Sequence, residues 1–363
     1  MISMTRFNYL YILLIWILTF YIKIKFNGLI LGFDYGLYHP DGSLYTFQSL
    51  TYLGKSELQA GLEVSNWYAN HAIKGKIFSP ESLFFENNGN WAQYSLRIIY
   101  PLLSIPFVYL FGIPGMLLIP ALSFLIFLIV IIRLANHYMV PGIGLLLAIF
   151  FTFSTTLNRW MFANVSDGFL VAVMSLFLYV VITNQSLKLE NTATLAAIAF
   201  STLTRFCLVM WLAISIFYFL KRRFRKSILI GFFSILFSIP VFMHPFKHAV
   251  LPGYESDSSI SKFLYFPLSI AKSTFYEFAE LLVLDKVLLA ILLAGLYFAL
   301  KMKFRESSQM FLIVLIGLFS QGAINGVIGV NFRYELPILP FLAWVILDYS
   351  SFYKNKLTIA PLS

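Results

Sequence analysis

Residues 114–134 read PGMLLIPALSFLIFLIVIIRL, a run in which Arg133 is the only charged side chain. A helix crosses the hydrocarbon core of a bilayer with about 20 such residues. The rest of the chain repeats this pattern, because 60% of its 363 residues are hydrophobic and only 12% are charged. This charged fraction is about half of the ~25% usual in soluble domains. The sequence therefore predicts an all-α, polytopic membrane protein and excludes a soluble enzyme, a disordered chain and a nucleic-acid-binding module.

About ten membrane spans are predicted from the succession of apolar runs. The runs lie at about 7–31, 99–112, 114–134, 139–157, 167–183, 192–203, 205–220, 226–243, 281–301, 309–330 and 335–348. In one topology, 99–112 is an embedded helix that does not cross, and 192–220 forms two helices that meet at Arg205. In the alternative, 99–112 crosses and 192–220 is one long helix. The first topology is preferred, because it places more of the basic residues in inner loops.

The placement of charge explains the formal net charge of +10 without a polyanionic partner. In the preferred topology both termini are inside, and 13 of the 26 Lys and Arg residues lie in inner segments. The acids of those segments are only Glu190, Glu306 and Asp348, so the inner segments carry the whole net charge. This distribution follows the positive-inside rule. The partners predicted from composition are therefore membrane lipids and not nucleic acid.

Residues 1–363 are predicted to form a single integral membrane domain. A long first outer loop covers 32–113 and carries the embedded juxtamembrane helix at about 99–112, and a second outer loop covers 244–280. Cys207, the only cysteine, lies in an apolar run and is expected to be a buried packing residue. Neither a nucleotide-binding glycine loop nor an HExxH motif occurs, so neither nucleotide use nor a His-based zinc site is indicated.

Polar residues at the outer ends of the spans form the candidate site. Asp34 and Asp41 follow the first span, and each is either a general base held near the membrane surface or a solvated loop acid. Arg97, just before the helix at 99–112, either binds an anion or marks the membrane boundary. Asp167 either serves the site or simply caps the helix that it begins.

Arg205 is the position hardest to explain as packing. It stands between two apolar runs, and a cation inside the membrane costs about 2.5–3.5 kcal/mol on insertion scales. Arg205 must therefore reach the outer interface, a carboxylate or a phosphate. Residues 331–340, NFRYELPILP, place Arg333, Tyr334 and Glu335 together at the mouth of the last span.

The order of these motifs resembles the GT-C superfamily of membrane glycosyltransferases, which use polyprenyl-phosphate-linked sugars. Residues 40–45, PDGSLY, resemble the Pro-Asp-x-x-x-Tyr motif of aminoarabinose and protein-mannosyl transferases. The sequence YPLL at 100–103 is similar to their Pro-Leu-rich juxtamembrane helix, and LTR at 203–205 resembles a Leu-Thr-Lys turn whose cation meets the lipid phosphate. The stretch 333–340 is similar to an Arg-Tyr-x-x-Pro ending. The chain departs from the family in having Asp41-Gly42 where an acid pair is usual.

The resemblance implies a GT-C-like fold and an inverting glycosyltransferase. The enzyme would move a sugar from a polyprenyl-phosphate donor to a glycan or lipid acceptor, on the outer side of a bacterial inner (plasma) membrane. A divalent cation, Mg²⁺ or Mn²⁺, is left open as a cofactor. The implied site consists of Asp41 as the catalytic acid–base residue, Arg205, Arg97 and Arg333 as phosphate ligands, and Asp34, Asp167, Tyr45 and Tyr334 as acceptor or metal candidates.

Two other functions stay open at the level of sequence. A lipid-linked glycan flippase or another transporter would place its ionisable groups near the bilayer midplane, whereas most of them lie here at outer span ends. An O-antigen-type polymerase would carry several arginines in a large late outer loop. The loop 244–280 contains Lys247, Lys262 and Lys272 and no arginine, which counts against a polymerase.

Overall fold

The computed structural model of the chain describes residues 2–25, 38, 40–71, 97–183, 186–205, 207–243, 259–324 and 332–359. Within these ranges the chain is helical and contains no strand. The predicted all-α class is therefore confirmed. The α-helices are α1 Ile2–Lys25, α2 Pro40–Tyr52, α3 Glu57–His71, α4 Ile99–Phe111, α5 Leu118–His137, α6 Pro141–Phe153, α7 Thr155–Met161, α8 Asp167–Thr183, α9 Leu187–Thr202, α10 Leu208–Leu220, α11 Phe224–Met243, α12 Ser259–Leu284, α13 Lys286–Lys301, α14 Glu306–Ile324 and α15 Leu339–Ile359.

Three helical segments of the described part are long and apolar enough to cross a membrane. They are Phe7–Lys25, Ile113–His137 and Leu336–Lys356, and α6 with α7 makes a fourth if this pair, bent by 74°, is one span. The chain is thus an integral membrane protein, while the prediction of about ten spans is not confirmed. Helix α4, at 13 residues, lies where an embedded helix is predicted, and its embedding stays a prediction. Its length of about 20 Å falls short of the ~30 Å hydrocarbon core.

The apolar stretch 192–220 forms two helices, as the preferred topology predicts. Helix α9 ends at Thr202 and α10 begins at Leu208, with Arg205 in the turn between them. The turn is closed by the N–H of Arg205, which donates to the carbonyl of Ser201 at 2.8 Å. The indole of Trp211 donates to the hydroxyl of Ser201 at 2.7 Å and so ties α10 back onto the end of α9.

The segment expected as the second outer loop is partly helical. Helix α12 begins at Ser259, inside the predicted loop 244–280, and continues to Leu284. The predicted run 281–301 is broken at Asp285, which caps α13 by accepting the N–H of Leu288 at 2.9 Å. The same carboxylate accepts the hydroxyl of Ser154 at 2.5 Å, at the bend between α6 and α7. Two helix breaks are thus joined by one buried acid.

Helices α5, α8 and α15 form the centre of the bundle. They pack against one another, and their facing side chains include residues that are almost completely buried, among them Phe124, Val171 and Leu342. Cys207 is buried and free, as expected. Because α8 begins at Asp167 and α15 follows the turn that carries Arg333, this packing brings two candidate site residues to the same end of the bundle.

Basic residues gather at the opposite end of the helices. Lys226 pairs with Glu190, Arg223 with Glu306 at 3.5 Å, and Arg305 with Asp348. These contacts join the start of α9, the start of α11, the link between α13 and α14, and the later part of α15. The two groups of charges therefore lie at the two ends of the bundle, which is the separation that the positive-inside argument requires.

Candidate active site

Four segments that are far apart in the chain bring their charged residues together at one end of the bundle. Asp41 lies in the first turn of α2, and Asp167 lies in the first turn of α8. Arg205 follows α9, and Arg333 lies in the turn before α15. A continuous set of ion pairs joins these four residues, each of which was a candidate from the sequence.

Asp167 is the centre of this set. It is 1% exposed, and its Oδ2 accepts the Nε–H of Arg333 at 3.0 Å. Its Oδ1 pairs with the guanidinium of Arg205. Because both carboxylate oxygens face a guanidinium, two arginines compensate the charge of Asp167 inside the protein. The position also suits a helix N-terminus, but capping alone does not account for two buried arginines.

Arg333 extends the set to Asp41. Its Nη1 donates to Oδ2 of Asp41 at 2.6 Å, across 292 positions of the chain. The side chain of Arg333 is 6% exposed, whereas that of Asp41 is 28% exposed. Asp41 is therefore the carboxylate of the pair that an incoming molecule can reach, and Asp167 is the one that is enclosed.

Aromatic rings hold the two buried guanidinium groups in place. The guanidinium carbon of Arg205 lies 3.9 Å from the ring centroid of Tyr334, and that of Arg333 lies 4.6 Å from a ring centroid of Trp160. Such cation–π contacts are stronger when water is excluded. The cations are thus oriented before any ligand arrives, which reduces the cost of ordering them on binding.

Arg97 reaches the site through Tyr45. Its Nη1 donates to the hydroxyl of Tyr45 at 3.3 Å, and this hydroxyl is 3.0 Å from Oγ of Ser166, next to Asp167. Burial lowers the pKa of Arg205, and the positive charges of Arg333 and Arg97 lower it further. Three arginines and two aspartates thus meet here, and the guanidinium groups are suited to the binding of an anion such as phosphate.

Gly42 sets how closely α2 approaches the site. A Cβ atom at this position would lie 2.2 Å from Oδ1 of Asn164, whose side chain is buried and bonded to the hydroxyl of Tyr68. The neighbour of Asp41 must therefore be small, which explains why Asp41-Gly42 stands here. Helix α2 carries Asp41, so its distance from Asn164 also sets the position of Asp41 relative to Arg333.

Gly42→Ala is expected to destabilise the protein by about 1–3 kcal/mol, the usual cost of overpacking, and to reduce any activity that depends on Asp41. Thermal unfolding in detergent and enzymatic assay measure the two effects. Gly142→Ala is the matched control, because a Cβ atom at Gly142, in the first turn of α6, meets nothing within 4 Å. Equal melting temperatures for the two variants would contradict this account of Gly42.

One sequence candidate lies outside the described residues, and another has different surroundings from those expected. Asp34 falls in a segment that the structure does not describe. Tyr334, expected as an acceptor or metal candidate, lies against Arg205.

Sequence reasoning missed two members of the site. Trp160, which supports Arg333, follows the predicted apolar run 139–157 and carries no motif that identifies it. Glu277 lies on α12, is 1% exposed, and accepts the N–H of Phe332 at the turn that carries Arg333. Glu277 lies in the predicted outer loop 244–280, where an acid is expected to be solvated, so only the packing of α12 identifies it.

The surroundings of the aspartates do not favour a cation. In the part of the chain that the structure describes, no group of three or more His, Cys, Asp or Glu side chains is placed to hold a metal ion. Asp167 faces two guanidinium groups and Asp41 faces one, so each would have to leave an arginine to bind a divalent ion. The divalent cation stays a prediction.

Comparisons with known proteins show the fold. No protein-family model and no curated protein matches the chain. A solved structure that resembles it is ArnT from Cupriavidus metallidurans bound to undecaprenyl phosphate, with a TM-score of 0.54 and 15% sequence identity. The likeness covers 96% of this chain and 62% of the ArnT chain, so this chain spans less than two thirds of the length of that protein. The fold implied by the sequence motifs is thereby confirmed.

Proposed function

We propose that this chain, which has the GT-C glycosyltransferase fold, is an inverting glycosyltransferase that takes its sugar from a polyprenyl-phosphate donor. The observation that carries the proposal is the set of ion pairs from Asp41 through Arg333 and Asp167 to Arg205. It joins an accessible carboxylate to enclosed guanidinium groups, which are the two kinds of group that the reaction needs. The ArnT structure contains undecaprenyl phosphate, which supports a donor of this class here.

The donor phosphate would bind at the arginines. Arg205 and Arg333 are the main ligands, and Arg97 adds a third positive charge near them. Negative charge grows on the phosphate oxygens as the bond to the sugar breaks, so guanidinium groups fixed beside those oxygens stabilise the transition state more than the bound substrate. The donation of an Arg333 N–H to Asp41 orients both groups before the donor arrives.

The difference in exposure supports different roles for the two aspartates. Asp41 is the general base, because its side chain is 28% exposed and can contact an acceptor hydroxyl. Asp167 is a positioning residue, because it is 1% exposed and both its oxygens face arginines. In this proposal Asp167 holds Arg205 and Arg333, and Tyr334 holds Arg205. The use of Asp167 and Tyr334 as acceptor or metal ligands stays a prediction.

The reaction is a single displacement. The acceptor oxygen attacks the anomeric carbon of the donor sugar, its proton passes to the Asp41 carboxylate, and the bond from the anomeric carbon to the phosphate oxygen breaks. Polyprenyl phosphate leaves with the electron pair of that bond. Attack from the face opposite to the leaving group inverts the anomeric centre.

We propose a glycan or lipid acceptor and an active site on the outer side of a bacterial plasma membrane. The site lies at the end of the bundle opposite to the basic segments of α9, α11 and α13–α14. Since such basic segments stay on the cytoplasmic side, the site faces outward. A Lys55→Cys variant places a thiol on the link between α2 and α3. Labelling of this thiol from outside by a membrane-impermeant reagent tests the proposed orientation.

A reconstituted assay tests the function. Purified protein in proteoliposomes is supplied with radiolabelled polyprenyl-phosphate monosaccharides, and loss of label from the lipid is followed with and without a metal chelator. Transfer to an acceptor supports the proposal. Movement of intact lipid-linked sugar across the bilayer would instead identify a flippase, and a requirement for a lipid-linked oligosaccharide would identify a polymerase.

Arg205→Ala is expected to lower kcat/KM for the lipid-linked donor by about 10²–10³-fold, the range found when one donor to a developing anion is removed. Arg205→Lys should restore part of the activity, because a lysine keeps the charge but not the planar fork of the guanidinium. Steady-state kinetics at varied donor concentration measure both effects. Kinetics equal to those of the wild type would remove Arg205 from the phosphate site.

A further inference from the structure

Two buried carboxyl groups lie beneath the turn that carries Arg333 and Tyr334. One belongs to Glu277 on α12 and the other to Glu335, the last residue of the turn 332–335, and each residue is 1% exposed. Oε2 of Glu277 accepts the N–H of Phe332, the first residue of this turn, at 2.5 Å. Glu277 thus connects α12 directly to the backbone of the site.

The turn needs this support because of its backbone conformation. Phe332 has a φ of 58°, in the left-handed region that residues with a side chain adopt reluctantly. A bulky residue keeps such a conformation only where its surroundings enforce it. Phe332 is itself fully buried, so loss of the bond to Glu277 would leave a buried N–H without its acceptor.

The two carboxyl groups cannot both be charged without a large cost. Burial raises the pKa of Glu335 well above its ordinary range, and the negative charge of Glu277 raises it further. The backbone N–H groups of Glu335 and Tyr334 and the cation of Arg205 oppose this rise. Among the described residues, Oε2 of Glu335 is buried and has no hydrogen-bond partner, and such an oxygen costs less in a neutral carboxyl group than in a carboxylate. Glu277 accepts a backbone N–H, which favours its charged form.

We propose that Glu277 and Glu335 hold one proton between them at neutral pH and act as positioning residues that fix the turn 332–335. Glu335 carries the proton and Glu277 carries the charge. The turn then keeps Arg333 against Asp41 and Asp167 and keeps Tyr334 against Arg205. The shared proton does not depend on the proposed function, whereas the expected effect on sugar transfer rests on that function.

Infrared difference spectroscopy tests the shared proton without any enzymatic assay. The wild type should show the carbonyl stretch of a protonated carboxylic acid near neutral pH, and Glu335→Gln should lose that band. Glu280→Gln is the matched control, because Glu280 lies three residues after Glu277 on the same helix and is less buried. A spectrum unchanged by Glu335→Gln would overturn the proton assignment.

The pH dependence of stability gives a second readout. The folded protein binds this proton more tightly than the unfolded chain does, so stability falls as pH rises from the ordinary pKa of Glu toward the raised pKa of Glu335. Glu335→Gln removes this proton and should show a higher melting temperature than the wild type at alkaline pH. A difference in melting temperature that does not grow with pH would contradict the proposal.

Kinetics of Glu277 variants test the positioning role. Glu277→Gln keeps an oxygen that can accept the N–H of Phe332 and should lose less transfer at neutral pH than a variant without an acceptor. Glu277→Leu lacks the acceptor and should raise the donor KM by about 10–100-fold, since a misplacement of about 1 Å can cost ~10²-fold. If Glu277→Leu is folded and has the donor KM of the wild type, the positioning role is wrong.

The outcomes separate this inference from the proposed function. If no sugar is transferred by the wild type but the infrared band and the pH-dependent melting behave as expected, the proposed function fails and the shared proton stands. If transfer occurs but Glu335→Gln changes neither spectrum nor melting, the shared proton fails and the function stands.

Discussion

Asp41→Asn is expected to abolish sugar transfer while the protein stays folded. Asn has nearly the shape of Asp, and its carbonyl oxygen can still accept the N–H of Arg333 that Asp41 accepts at 2.6 Å. It cannot take a proton from the acceptor, so kcat should fall by about 10²–10⁴-fold, the usual contribution of a general base. Single-turnover assays with bound donor measure the chemical step directly.

The control for Asp41 is an acid on the neighbouring helix. Glu57 is exposed in the first turn of α3, so Glu57→Gln removes one negative charge from the same predicted outer loop and should leave kcat unchanged. Melting temperatures of Asp41→Asn and wild type should agree closely, because the Asp41 side chain is partly exposed. A folded Asp41→Asn protein with wild-type kcat would refute the assignment of the base.

Asp167→Asn is expected to damage the fold as well as the activity. The substitution leaves Arg205 and Arg333 buried without the carboxylate that compensates both of them. Removing one member of a buried ion pair typically costs about 3–5 kcal/mol, because the remaining charge stays uncompensated. Thermal unfolding in detergent should therefore separate Asp167→Asn from Asp41→Asn, although both variants lose transfer.

A double-mutant cycle tests whether this destabilisation comes from the charges. Asp167→Asn combined with Arg205→Gln removes one uncompensated cation, so the double variant should be less destabilised than the sum of the two single variants. Residues in one ion-pair network commonly show such non-additivity, of about 0.5–3 kcal/mol. Strict additivity would mean that Asp167 and Arg205 do not depend on each other for stability.

The separation of roles between the two aspartates could not be predicted from the sequence. Both lie at predicted outer ends of spans, and both match acids in the family resemblance. The two residues differ in the exposure of their side chains. Asp167 is buried between two arginines, whereas the side chain of Asp41 is partly exposed. Burial depends on which helices pack together. Asp41 on α2 and Asp167 on α8 contact Arg333, which is far from both of them in the sequence. Local patterns carry no information about such contacts.

Arg205 was the strongest candidate from the sequence, and the reason lies in the cost of its charge. A cation between two apolar runs is costly, so its presence predicted that Arg205 reaches the outer interface, a carboxylate or a phosphate. The structure supplies that carboxylate from Asp167 and adds the ring of Tyr334. Glu277 gave no such signal, because the amphipathic helix α12 lies in a segment that the sequence indicated as loop.

The amino-acid sequence by itself determined that the chain is a helical membrane protein with its basic segments on one side. Hydrophobic runs and the positive-inside rule act locally, through the transfer of each segment between water and lipid, and so they can be read from neighbouring residues. Only the tertiary structure decided that Arg333 bridges Asp41 and Asp167, that Trp160 supports it, and that Glu277 holds its turn. These contacts depend on the packing of helices distant in the chain, which sets the distances and burial that give each charged group its role.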